Sequence, residues 1–262
     1  QSIANHYVEM IHLKMSALIL VVEVFGFLLA ETFTLGASWT LFWVLLGTSL
    51  TDAGSFIFNQ ILEIEIDKKM TRTKGRPLPM GGLSILEATL LASLSSIAGL
   101  ALLYFLVNPL SSLLTALILL SYVAMYTPLK PVSWLSTSVG AIPGAIPALV
   151  GWAVATGQLD AGAWILFGIL FLWQHPHFFA IGWIYKNEYR NAGIKILPVI
   201  ENDGKMTSLQ TIAFTFFLIP ITLLASVLKV ASPGFVWAAL IIGIGFLIFA
   251  VLFSLRKTIA DA

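Results

Sequence analysis

The chain has 262 residues, 58% of them hydrophobic and only 10% charged, with a formal net charge of +1 and no cysteine. Soluble domains are roughly 45–50% apolar and 25% charged, so a soluble globular protein is excluded. A free basic surface for nucleic acid is excluded too, and no nucleic-acid partner is implied. The missing cysteines rule out disulfides, thiolate metal ligands and a cysteine nucleophile.

The first residues, "QSIANHYVEMIHLKM", lack the basic region, apolar core and small-residue cleavage site of a signal peptide. They read as an interfacial lead-in to a helix, and the start without Met predicts a preceding piece. A bilayer core of about 30 Å needs about 20 apolar residues per helix. Eight such windows follow, at roughly 16–36, 39–62, 84–107, 110–127, 135–156, 161–185, 207–229 and 233–255. Short links predict antiparallel neighbours in one all-α membrane domain over 1–262, and continuous apolar runs argue against a transmembrane β-barrel. With eight spans, the basic residues from Lys14 to Lys257 fall on one side and Lys229 alone on the other. The positive-inside rule therefore puts both ends and the loops 63–83, 128–134 and 186–206 in the cytoplasm, with a bacterial inner membrane as the expected location.

Glu23, Glu31 and Asp52 lie in or near apolar spans, where ionisable groups are costly. Glu23 and Glu31 read as structural. Asp52 is expected about 10 Å deeper than Asn59 on roughly the same face.

The second span runs into "FNQILEIEIDKKMTRTKGRPLP", residues 58–79. At about 100° per residue, Asn59, Glu63 and Asp67 share an arc of about 80°, whereas Glu65 points elsewhere. Two carboxylates and an amide on one face, in apolar surroundings, call for a cation between them. An all-oxygen set selects a hard ion, and Mg²⁺ combines one or two carboxylates with water and phosphate oxygens. The Arg72 and Arg76 forks and the Lys68, Lys69 and Lys74 charges that follow suit the same phosphorylated substrate. Gly75, Pro77 and Pro79 make that segment a loop. The competing reading of such basic residues is topology alone.

Further on, "YTPLK" puts Tyr126 and Lys130 at the same end of span four. In "FLWQHPHFFAIGWIYKNEYRNAGIKILP" His175 and His177 straddle Pro176, and Glu188 sits among Lys186, Arg190 and Lys195. Neutral imidazoles ligate haem iron or hold helices together. The Glu188 segment echoes the first acidic stretch.

These motifs, "NQxxExxxDxxMxRTxxRPLP", "YTPLK", "GAIPGAIPALVGW", "WQxPHF" and "EYxxAGIxxLP", resemble in order and spacing the protohaem IX farnesyltransferase (haem O synthase) branch of the UbiA prenyltransferase superfamily, over about residues 7 to 207. The resemblance implies a helical bundle that binds farnesyl diphosphate as its Mg²⁺ complex and transfers farnesyl to a vinyl group of haem B. It implies Asn59, Glu63, Asp67 and Glu188 around the metal, and Arg72, Arg76, Lys68, Lys130 and Glu188 at the diphosphate. Tyr126 joins them at the reacting centre, and His177, with His175 beside it, is implied at the haem. Membrane lipid and the next haem-modifying enzyme are the implied partners. Nine helices are usual in the family, so a missing last helix is expected. Departures are Glu188 where Asp is usual, and His12 with Lys14 in "IHLK" where a basic pair is usual. The alternatives are a UbiA-type enzyme acting on an aromatic or quinone precursor, and an ion-coupled transporter or lipid-binding protein.

Overall fold

The computed structural model describes residues 10–30 and 35–257. Glu31 and most of the N-terminal lead-in lie outside the described residues. Backbone groups in hydrocarbon must be satisfied internally, and helices do so within a single segment. Among the described residues eight helices are long and apolar enough to cross a membrane. They are α1 (Leu13–Ala30), α2 (Leu35–Leu62), α3 (Ile85–Leu106), α4 (Pro109–Leu120), α5 (Ser136–Thr156), α6 (Ala161–Ile184), α7 (Lys205–Val227) and α8 (Phe235–Arg256). The α4 span extends through a π-turn, Ser121–Tyr126, and a last helical turn, Thr127–Leu129.

Local chemistry sets the ends. Ser84 and Glu87 form a reciprocal capping box at the start of α3. The Asn108 side chain accepts from Ser111 N–H ahead of Pro109, and Asp160 Oδ1 accepts from Gly162 and Ala163. Gly157 closes α5 in the left-handed region. Pro176 lies inside α6.

Helix α5 is the central element, buried along most of its length from Gly140 to Ala153. It contacts α1, α4 and α6, while α3 packs on α2, α7 on α6 and α8 on α7. Small residues set the closest approaches. A Cβ on Gly151 would lie 1.9 Å from the Glu23 carbonyl oxygen, and one on Gly26 would lie 2.4 Å from that of Ala148. Helices α1 and α5 thus touch backbone to backbone. On α2, one face meets α3, where Gly54 faces Ser96 and Thr51 faces Gly99. Another face carries Thr48, Asp52 and Asn59, all buried. Thr48 Oγ1 donates to Glu23 Oε1 at 2.9 Å, tying α1 to α2 in the apolar region.

The charged ends gather together. Gln60 Nε2 donates to Met10 O, Lys195 N–H to Lys130 O, and Trp183 Nε1 to Lys257 O. At the opposite end Asn108 Nδ2 donates to Ala153 O.

Replacing Gly151 by Val forces α1 off α5 and should lower the thermal midpoint of the detergent-solubilised protein by several degrees. Gly75→Ala, at a position with nothing within 4 Å of the added carbon, should leave it unchanged in the same scan.

Candidate active site

Helix α2 does not continue unbroken through the acidic stretch. It ends at Leu62, Glu63 departs from helical geometry at φ −103° and ψ 11°, and a short turn Ile64–Asp67 follows. The expected face survives this break. Glu63 N–H still bonds Asn59 O and Asp67 N–H still bonds Glu63 O. Asn59, Glu63 and Asp67 are 4%, 6% and 2% exposed, whereas the Glu65 side chain is 78% exposed and bound to Lys68.

Each buried acid meets one cation. Lys130 Nζ lies 2.7 Å from Glu63 Oε1, and Arg76 Nη1 lies 2.7 Å from Asp67 Oδ2. Both are close, nearly dehydrated ion pairs. Removing either member would leave a buried charge uncompensated, at a cost of about 3–5 kcal/mol. Burial acts to lower the Lys130 pKa, but Tyr126, Glu63 and Tyr122 outweigh it and hold the ammonium above its usual range.

Tyr126 completes this corner, its ring 4.5 Å from Lys130 Nζ and seated on Gly140, where a Cβ would collide with it. The loop after Asp67 folds back as expected: Thr73 Oγ1 donates to Asp67 O, which sets Arg76 against the Asp67 carboxylate. Arg72 is exposed, with its guanidinium 5.8 Å from the Tyr185 ring centroid.

The second acidic segment faces this loop. Met70, Ala192 and Ile194 pack together, and Tyr189 lies within electrostatic reach of Arg72, Tyr126 and Lys130. Glu188 Oε2 is buried without a partner. Lys68 pairs with Glu65 on the solvent side. Among the described residues no group of three or more His, Cys, Asp or Glu side chains is already gathered within metal-holding reach. Glu188 sits on a separate segment, Lys186–Ala192, while Glu63 and Asp67 are drawn to Lys130 and Arg76.

The two histidines part company. His175 is fully buried, with Nδ1 bonded to Phe171 O at 2.8 Å, Nε2 to Ser138 Oγ at 3.0 Å, and its ring stacked 3.7 Å from Phe214. Both nitrogens are engaged in bonds that join α6 to its own preceding turn and to α5. His177 is exposed, stacked on Trp173, and lines a groove of about 280 Å³ with Thr211, Phe246, Phe249 and Phe253.

The residue pattern left other participants unnamed. Thr127 accepts from Asn59, and Phe56 and Tyr122 form an edge-to-face pair leading to Tyr126. His12, which stands where a basic residue is usual, also lies at this site. It adopts φ 47°, presents its ring edge-on to Phe56, and has a pKa pushed down to about 4 by burial and by Arg76 and Arg72.

The chain matches the UbiA prenyltransferase family over residues 19–262. It belongs to that family. Similar relatives include one from Solibacter usitatus named protoheme IX farnesyltransferase, 43% identical over 218 residues, or 83% of this chain and 75% of the relative. A digeranylgeranylglyceryl phosphate synthase structure shares the fold with a TM-score of 0.81 at 19% identity, covering 100% of this chain and 91% of that one. A UbiA homologue from Archaeoglobus fulgidus bound to DMAPP and Mg²⁺ does so with a TM-score of 0.70 at 15% identity, covering 95% and 85%. As a UbiA family member the protein is a multi-pass membrane prenyltransferase, and Glu63, Asp67, Arg76 and Lys130 are gathered at one end of its bundle.

The ordinary value for His12 is 6.5 and its folded value about 4, so between these the unfolded chain takes up a proton that the folded one refuses. Stability is therefore lost as pH falls across that window. Thermal scans should show this loss, and His12→Gln should make it shallower.

Proposed function

We propose that this protein transfers the farnesyl group of farnesyl diphosphate to a vinyl group of haem B, making haem O, with Mg²⁺ required. The observation that carries the reading is the pair of buried acid–cation contacts, Glu63 with Lys130 and Asp67 with Arg76, at the charged end of an apolar bundle. A diphosphate is the ligand that such an array suits. Its oxygens compete for Lys130 and Arg76, which releases two carboxylates for a hard divalent ion. The choice of acceptor rests on relatives named protoheme IX farnesyltransferase, 43% and 40% identical.

The residues fit Mg²⁺. All donors are oxygens, two carboxylates suit its preference for retained water and phosphate ligands, and buried Glu188 Oε2 lacks a hydrogen-bond partner. Glu63, Asp67 and Asn59, together with Glu188, would hold it. Bound there, Mg²⁺ would supply Lewis-acid charge to the diphosphate oxygens.

The chain's own groups do the rest. Lys130, Arg76 and the exposed Arg72 stabilise negative charge on the diphosphate as the C1–O bond breaks and the leaving group departs with the electron pair. Once Lys130 turns to the diphosphate, the Tyr126 ring face it covered is available to the allylic cation. The haem vinyl π-electrons form the new bond to C1, water adds to the resulting cation, and its proton leaves to solvent or diphosphate. His177, exposed and stacked on Trp173, is the imidazole available to the haem as an iron ligand. The charged end faces the cytoplasm, where prenyl diphosphates are soluble, and the membrane is the bacterial inner membrane.

Purified protein in detergent with haem B, farnesyl diphosphate and Mg²⁺ should yield haem O by mass spectrometry. Glu63→Gln should cut turnover by about 100-fold, as for other groups that organise transition-state charge. Prenylation of an aromatic or quinone precursor instead would overturn the acceptor while keeping the diphosphate site. In absorbance titrations with haem B alone, His177→Ala should weaken binding and change the Soret band. His175→Ala should lower thermal stability and leave the haem spectrum as in wild type.

A further inference from the structure

The α4 span does not reach Lys130 as a regular helix. Residues Ser121–Tyr126 form a π-turn in which Thr127 N–H bonds the Tyr122 carbonyl, an i→i+5 contact. Pro128 follows directly and has no N–H to offer the preceding turn. Single π-turns of this kind recur at functional sites, since the extra residue re-aims the side chains beyond them. Here those side chains are Tyr126 and Lys130.

The turn is fastened by one hydroxyl. Thr127 is 2% exposed, and its Oγ1 lies 2.8 Å from Tyr122 O and 2.9 Å from Asn59 Nδ2. A carbonyl oxygen only accepts, so the single hydroxyl proton of Thr127 is committed to Tyr122 O. The remaining capacity of Oγ1 is as an acceptor. Asn59 must therefore present its NH₂ group to Thr127, which turns the hard oxygen Oδ1 to the other side of the amide. The hydrogen-bond chemistry thus fixes an amide orientation that the Asn59 side chain alone would leave open.

We propose that Thr127 is a positioning residue: by spending its proton on the π-turn it orients Asn59 so that Oδ1, not the NH₂ group, is offered to the metal beside Glu63 and Asp67. One hydroxyl then couples the two halves of the site, the acidic face of α2 and the Tyr126–Lys130 turn of the α4 span. The proposal rests on the metal reading above, yet it makes a separate demand, since Thr127 itself touches neither metal nor diphosphate.

The test is Mn²⁺ binding to the full chain in detergent, followed by electron paramagnetic resonance with inorganic pyrophosphate present and no prenyl acceptor. Thr127→Val keeps the shape and removes both hydrogen bonds. It should weaken Mn²⁺ by about 10- to 100-fold, the usual effect of losing a group that orients a ligand. Thr127→Ser, which keeps the hydroxyl, should bind as wild type, and Asn59→Ala should be at least as weak as Thr127→Val. Where the Val variant does not fold, Thr127→Ala gives the same comparison. Wild-type Mn²⁺ affinity in Thr127→Val or Thr127→Ala, alongside weak binding by Asn59→Ala, overturns the positioning role and leaves the metal site standing. Unchanged binding in both Asn59→Ala and Glu63→Gln overturns the metal reading itself.

Discussion

The buried exchange of charge between Glu63 and Lys130, and between Asp67 and Arg76, is the constraint around which the charged end of this bundle is arranged. Taking ions out of water costs several kcal/mol each unless they are paired. Both acids are nearly inaccessible, so each must keep its cation at 2.7 Å or trade it for another. Under the proposed function that trade is with substrate: a diphosphate would offer the cations a better anion, and a divalent ion would offer the acids a better cation.

Much of the surrounding structure follows from holding those four groups in register. The break in α2 at Glu63 leaves the i, i+4 bonds on both sides intact. The Thr73 bond to Asp67 O returns the loop so that Arg76 arrives on the acid nine positions earlier. The π-turn before Thr127 sets Lys130 and Tyr126 over the same acidic face, and Gly140 on α5 leaves room for the Tyr126 ring. Lys195 N–H on Lys130 O brings the second acidic segment to the same place. Farther into the apolar region, Glu23 on Thr48 joins α1 to α2, and backbone contact at Gly26 and Gly151 fixes α1 on α5.

The sequence made the helices and the acidic face legible because both obey simple periods. Apolar windows of spanning length define eight helices, and a spacing of four puts Asn59, Glu63 and Asp67 on one side while excluding Glu65. Pairing across the bundle has no such period. That Lys68 would turn to Glu65, that Glu188 would stay on its own segment, and that His175 would commit both nitrogens to Ser138 and Phe171 depend on contacts between distant segments. The π-turn was hidden for a related reason. Pro128 signals a disturbance near the end of α4, but only the Thr127 contacts to Tyr122 and Asn59 show how it is resolved.

The most direct test of this charge exchange is the mutual dependence of the two ligands. Mg²⁺ affinity should be measured by titration calorimetry on the detergent-solubilised protein without and with saturating inorganic pyrophosphate, corrected for binding in free solution. The account predicts strong positive coupling, at least about tenfold or 1.4 kcal/mol, which Lys130→Met largely removes. Equal Mg²⁺ affinity with and without pyrophosphate would contradict it.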